Sequence, residues 1–147
     1  MNDKEYNDLI YVCALIEYIA RQTRNHRGYI VESLGEEGIM RQLKDAEVNH
    51  CLSFEQICSE LVERYNIKEG TYDTISTCKY TVPGYVDIGK LYAIIIKEVS
   101  KGKDIAKAIK DVFSSFISDA ISMFNSDLYY QNPDYIKESY LAGELLA

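Results

Sequence analysis

A chain of 147 residues, 47% hydrophobic and 12% aromatic, is long enough to bury a substantial core and short enough to form a single domain. Its net charge of −7 opposes the counterion release that drives non-specific binding to nucleic acid, so nucleic acid is not the expected partner. No apolar stretch approaches the roughly 20 residues of a membrane span, since Ile94, Ile95 and Ile96 are hemmed by Lys90, Lys97 and Glu98, and no basic leader precedes a cleavage site; a soluble cytoplasmic protein is expected.

Taken in chain order, the first helix is predicted over Asp3 to Asn25, with Tyr6, Leu9, Ile10, Cys13, Ile16, Ile19 and Ala20 as its buried stripe and Glu5, Asp8 and Glu17 outside. A polar corner, Arg21 to Gly28, follows; its cations complement the helix C-terminus, and Gly28 suits a cap or turn. A short helix over Tyr29 to Leu34 is broken by Gly35, and a second runs from Glu36 to Val48 with Ile39, Met40, Leu43 and Val48 as its apolar residues. Ser53 and Gln56 form a capping box that opens a helix with Phe54, Ile57, Cys58, Leu61, Val62 and Tyr65 inward.

From 69 to 84 the helical period fails in a threonine- and tyrosine-rich run closed by Pro83 and Gly84. A strand around Cys78 to Val82 would lack a partner, so one long ordered loop, with a turn near Tyr72 to Thr77, is expected. A central helix then runs over Val86 to Lys101. Gly102 ends it, and the helix around which the rest is organised, Lys103 to Phe124, should pair with it as an antiparallel hairpin.

The greasy face of that second helix includes Ile105, Ile109, Phe113, Phe116, Ile117 and Phe124. Its polar face carries Ser114, Ser115, Ser118 and Ser122, small hydroxyls where an exposed helix favours lysine or glutamate. The C-terminal half should therefore be covered and the charged half, Lys103 to Asp111, wet. Asn132 as N-cap and Pro133 at the first position start a terminal helix whose stripe is Tyr135 or Ile136, Tyr140, Leu141, Leu145 and Leu146. The result is an all-α single-domain bundle of about six helices.

Chemistry-bearing patterns are sparse. Cys13, Cys51, Cys58 and Cys78 lack the paired spacing of a zinc site and read as buried or half-buried thiols. Glu60 and Glu63 are the one carboxylate pair at helical spacing, on an outer face, so no metal or other cofactor is implied. No glycine-rich phosphate loop is present. The corner Arg21, Arg24, His26 and Arg27 has the residue types to hold a phosphate and move a proton, which supports an alternative reading as a small enzyme acting on RNA or nucleotides.

Thirteen tyrosines and no tryptophan form the unusual compositional feature. Tyrosine gives large contact area with a polar tip, and it suits interfaces as well as the rim of a small core. Tyr72, Tyr80, Tyr85, Tyr129 and Tyr130 concentrate in the loop and in the linker after the organising helix; if these segments meet, they make a protein-binding patch.

The segments Ile16 to Arg21, Thr77 to Pro83 with Asp87 to Lys90, Ser115 to Asp119, and Tyr130 to Ile136 resemble a family of small uncharacterised bacterial proteins, over nearly the whole chain. The resemblance implies neighbourhoods of toxin–antitoxin type and no catalytic residue set. A non-enzymatic protein-binding component, antitoxin-like or accessory, is the expectation, with a structural homodimer as a further alternative.

Overall fold

The computed structural model describes residues 1–147, and the chain is all helical. Its helices are α1 (Asp3–Thr23), α2 (Arg27–Asn49), α3 (Phe54–Arg64), α4 (Tyr85–Ser100), α5 (Ile105–Ser114), α6 (Phe116–Ser122) and α7 (Pro133–Ala142), with a 3-10 turn at Leu128–Tyr130. Seven α-helices stand where about six were expected: the segments expected at 29–34 and 36–48 run as one helix kinked at Gly35, and the helix predicted over 103 to 124 is broken in two.

Four helices form a ring in which α1 packs on α2 and α4, and α5 packs on the other sides of α2 and α4. Neighbours run antiparallel. Lys4 meets Glu47 at one end of the α1–α2 pair and Glu17 meets Arg27 at the other. Tyr18 packs on Tyr85 where α4 begins, and Lys97 sits over the Tyr6 ring near its end. The hairpin of α4 and α5 forms as expected, through left-handed Lys101, Gly102 and Asp104. Helix α3 and the loop after it carry the chain across the bundle, and α6 and α7 close the side of α4 and α5.

The centre of the core is α1. From Tyr11 to Glu17 every residue is at most 5% exposed, so this helix is enclosed all round where a one-sided stripe was expected. Neither the 86–101 helix nor the 103–124 helix holds that place. Enclosure also overturns the outward placement of Asp8 and Glu17, both buried. In the core, Tyr92 lies flat on Phe113 with ring centroids 4.0 Å apart. Gly89 on α4 packs closely against Ala14 on α1, where an added Cβ would lie 2.7 Å from the Ala14 nitrogen.

Local signals account for most boundaries. Asn2 and Glu5 make a complete capping box on α1, which ends at Thr23 with Arg24 left-handed, two residues short of the expected Asn25. Gly35 breaks α2 at φ 69°, ψ 170°, a conformation essentially confined to glycine. The first half starts at Arg27, not Tyr29, so Gly28 is an interior residue whose missing Cβ admits the Phe113 carbonyl. Ser53 accepts from the Gln56 N–H, the serine half of the expected box. Asn132 and Pro133 open α7 as predicted.

The break at Ser115 has a compact cause. Its hydroxyl donates to the Val112 carbonyl and accepts from the Ile117 N–H, so one serine ends α5 and caps α6. The reorientation leaves Phe116 38% exposed instead of buried. Beyond the break the expected cover is present: Ser118 and Ser122 are each 1% exposed, and α7 packs on α6 with Ser139 fully buried. Ser114 stays exposed, and on the charged half Lys103, Lys107 and Asp111 remain exposed. Five other apolar assignments fail. Met40 and Val48 on α2 are exposed, and Leu141, Leu145 and Leu146 lie outside because α7 contacts the bundle mainly through Ile136, leaving its last turn and the tail beyond the core. Of the cysteines, Cys13 and Cys58 are buried and Cys78 half-buried, but Cys51 in the α2–α3 turn is exposed.

Candidate functional site

The 69–84 segment is an ordered loop without strand, fastened at three places. At its start it completes the C-terminus of α1, whose last carbonyls have no partner within the helix. The Gly70 N–H donates to the Thr23 carbonyl at 2.8 Å and the Tyr72 N–H to the Arg24 carbonyl at 2.9 Å, while the Asn25 amide donates to the Lys68 carbonyl at 2.8 Å. Gly70 is required there, since a Cβ would fall 2.3 Å from the Asn25 side-chain oxygen. In the middle, Asp73 accepts from the N–H groups of Ile75 and Ser76, the expected turn. Near its end the Lys79 N–H donates to the Asn125 side chain at 2.8 Å.

Beneath the loop lies a buried charge cluster. Arg27 Nε and Nη2 donate to the two Glu17 oxygens at 2.8 and 2.6 Å, and both side chains are 1% exposed. Arg21 donates from Nε to Glu17 at 2.7 Å and from Nη2 to the Pro83 carbonyl at 2.7 Å, tying the end of the loop to the buried carboxylate. Burial acts to raise the Glu17 carboxyl, but Arg27 and then Arg21 outweigh it and hold the group below the usual carboxylate range. Arg27 is likewise kept charged by Glu17 against its own burial. Beside this pair the hydroxyls of Tyr92 and Ser118 are buried. Desolvation pushes the Tyr92 phenol up.

The polar corner is therefore largely self-satisfied. Arg21 and Arg27 serve Glu17, and Arg24 pairs with Glu69 at the surface. His26 stands apart. Its Nδ1 lies 2.9 Å from Asp119 Oδ1, both side chains are about half exposed, and its ring stacks on Tyr72 at 3.7 Å.

The five tyrosines are divided among three settings. Tyr80 and Tyr130 are 67% and 71% exposed, on the two segments that the Lys79–Asn125 bond joins, and Tyr129 packs edge-on against Tyr130 at 5.0 Å. Met123, two residues before Asn125, is 55% exposed. Tyr72 belongs to the His26 corner. Tyr85 is half-buried, edge-on to both Tyr18 and Phe54. Loop and linker thus meet through Lys79 and Asn125, with Tyr80 one residue after the first and Tyr129 and Tyr130 four and five residues after the second.

Sequence reasoning missed the roles of Glu17, Asp119 and Asn125. Glu17 had a signal: a lone acid inside an apolar run, four residues before an arginine. Asp119 and Asn125 had none, since their partners lie 93 and 46 residues away. No group of histidine, cysteine and carboxylate side chains is arranged to hold a metal ion, and no helix is long and apolar enough to cross a membrane. Comparison of the chain with protein-family models, curated proteins and solved structures finds no match.

Proposed function

We propose that this domain is a non-enzymatic protein-binding component, with the face where the 69–84 loop meets the linker after α6 as its contact surface. The observation that carries this reading is the exposure of Tyr80 and Tyr130 on two segments fixed to each other by Lys79 and Asn125. Large amphipathic side chains held at low entropy cost are what an interface centre uses. The cations that would attract a phosphate are instead paired within the protein. The resemblance to small bacterial proteins favours a partner encoded beside this chain, a toxin that it neutralises or assists, in the cytoplasm.

The experiment is co-purification with the neighbouring gene product, followed by Tyr80→Ser combined with Tyr130→Ser. Each exposed aromatic anchor contributes about 1–2 kcal/mol or more, so the double variant should lose at least about tenfold in affinity. Circular dichroism should be unchanged. A complex of undiminished affinity removes this face, and a monodisperse protein indifferent to its genomic neighbours removes the reading. Light scattering at twice the chain mass without any partner would support the homodimer instead.

The pairing of His26 with Asp119 favours the second reading, an enzyme acting on RNA or nucleotides, because a carboxylate on Nδ1 orients an imidazole whose other nitrogen can accept a proton. Turnover of RNA or nucleotides that His26→Ala reduces at least about 10²-fold supports it; no turnover, or turnover indifferent to that change, rejects the site.

A further inference from the structure

Away from both candidate regions, the N-terminal half of α1, the α2–α3 turn and the first turns of α4 enclose an open groove of about 780 Å³. That volume lies within the roughly 300–1,000 Å³ common for small-molecule sites. Its geometry follows from the close crossing already described: Ala14 lines the groove, and Val86 and Lys90 flank Gly89 on α4. One wall is aromatic. The Tyr11 and Phe54 rings stack at 5.2 Å with 22° between their planes, and the His50 ring lies 4.5 Å from that of Tyr11. Leu52 and Val86, each 39% exposed, extend the apolar surface.

The polar groups sort by whether they are already satisfied. Asp8 and Glu47 both face the Lys4 ammonium, at 3.0 and 3.6 Å, so the acids of the groove are engaged. Lys90 has no ion-pair partner, and the ring nitrogens of His50 make no hydrogen bond to the protein. The hydroxyl of Tyr11, a residue only 5% exposed, is buried without a partner. What remains free and exposed is the Lys90 ammonium together with the His50 ring, beside an aromatic wall.

We propose that this groove binds a small aromatic carboxylate, its ring against Tyr11, His50 and Phe54 and its carboxylate toward Lys90. A charge-assisted bond from an ammonium that has no other partner is stronger than one between neutral groups. Offset or edge contact with the wall supplies the remainder. The site is independent of the protein-binding face, since none of its residues lies in the loop or the linker.

The probes are indole-3-acetate, the neutral indole-3-acetamide and the cationic tryptamine, titrated into the intact protein and followed by backbone amide NMR. The acid should saturate with a Kd of ~1 mM or tighter and shift resonances within 7–14, 50–54 and 86–90, while the amide and the amine bind at least about tenfold more weakly. Lys90→Gln, a surface change, should leave the melting curve in place and weaken the acid by about tenfold. No saturable shift, shifts located elsewhere, equal binding of acid and amide, or an unaffected Lys90→Gln variant would overturn the proposal. Tighter binding of tryptamine would do so too, reassigning the groove to cations through Asp8 and Glu47.

Discussion

A carboxylate with 1% of its side chain exposed stays ionised only because two guanidiniums face it. Removing one member of such a pair leaves a charge stranded in the core, at a cost of about 3–5 kcal/mol, whereas replacing both by apolar side chains is far milder. Arg27→Met and Glu17→Met should each lower the urea midpoint strongly. The combination Glu17→Met with Arg27→Met should be more stable than either single variant, and a double variant less stable than both would refute this account. The pH dependence follows in sign. Glu17 titrates lower when folded than unfolded, so its contribution is complete above the unfolded carboxyl value of about 4.3 and drains away as pH falls through the lower folded value. Urea melts between pH 3 and pH 6 should show wild type losing stability on acidification by more than the Glu17→Met, Arg27→Met double variant.

At the scale of elements, the bundle depends on how closely α1 and α4 approach. The crossing of Gly89 on Ala14 leaves no room for a methyl group, and backbone on both sides cannot rotate aside as a long side chain would. Gly89→Ala improves intrinsic helix propensity but forces α4 off α1, so a net loss of about 1–3 kcal/mol is expected by thermal denaturation. A stabilised variant would show that the two helices separate freely. Serine at position 115 shows the opposite economy, one hydroxyl serving two helices. Its signal was present in the sequence as a run of serines on one face. That run signals cover at Ser118 and Ser122 but not at Ser114, which is exposed, and it does not signal a helix end, because the apolar period continues across the break.

For the molecule as a whole, what the sequence disclosed and withheld divides along a physical line. Amphipathic period, caps and breakers are local, and they place the helices, the α4–α5 turn and the ordered loop close to their observed positions. The number of neighbours around a helix is not local. Periodicity reports that α1 has an apolar face, yet Tyr11 to Glu17 are enclosed by α2, α3 and α4 together, and Glu17 is admitted only by an arginine contributed by α2. The candidate site follows the same division: residue types at the corner and the tyrosine-rich segments were visible, while the partners Asp119, Glu69 and Asn125 arrive only with the fold.

The enclosure of α1 also sets an order of events during synthesis. This helix is made before any element that covers it, and α4, the neighbour it packs on most extensively, begins 62 residues after α1 ends, at Tyr85. At translation rates of roughly 5–20 residues per second, its most apolar turns wait about 3–12 s for that neighbour. The helix that becomes the driest part of the protein thus waits with one side uncovered on the ribosome, and α4 is the last of the three helices that enclose it to arrive.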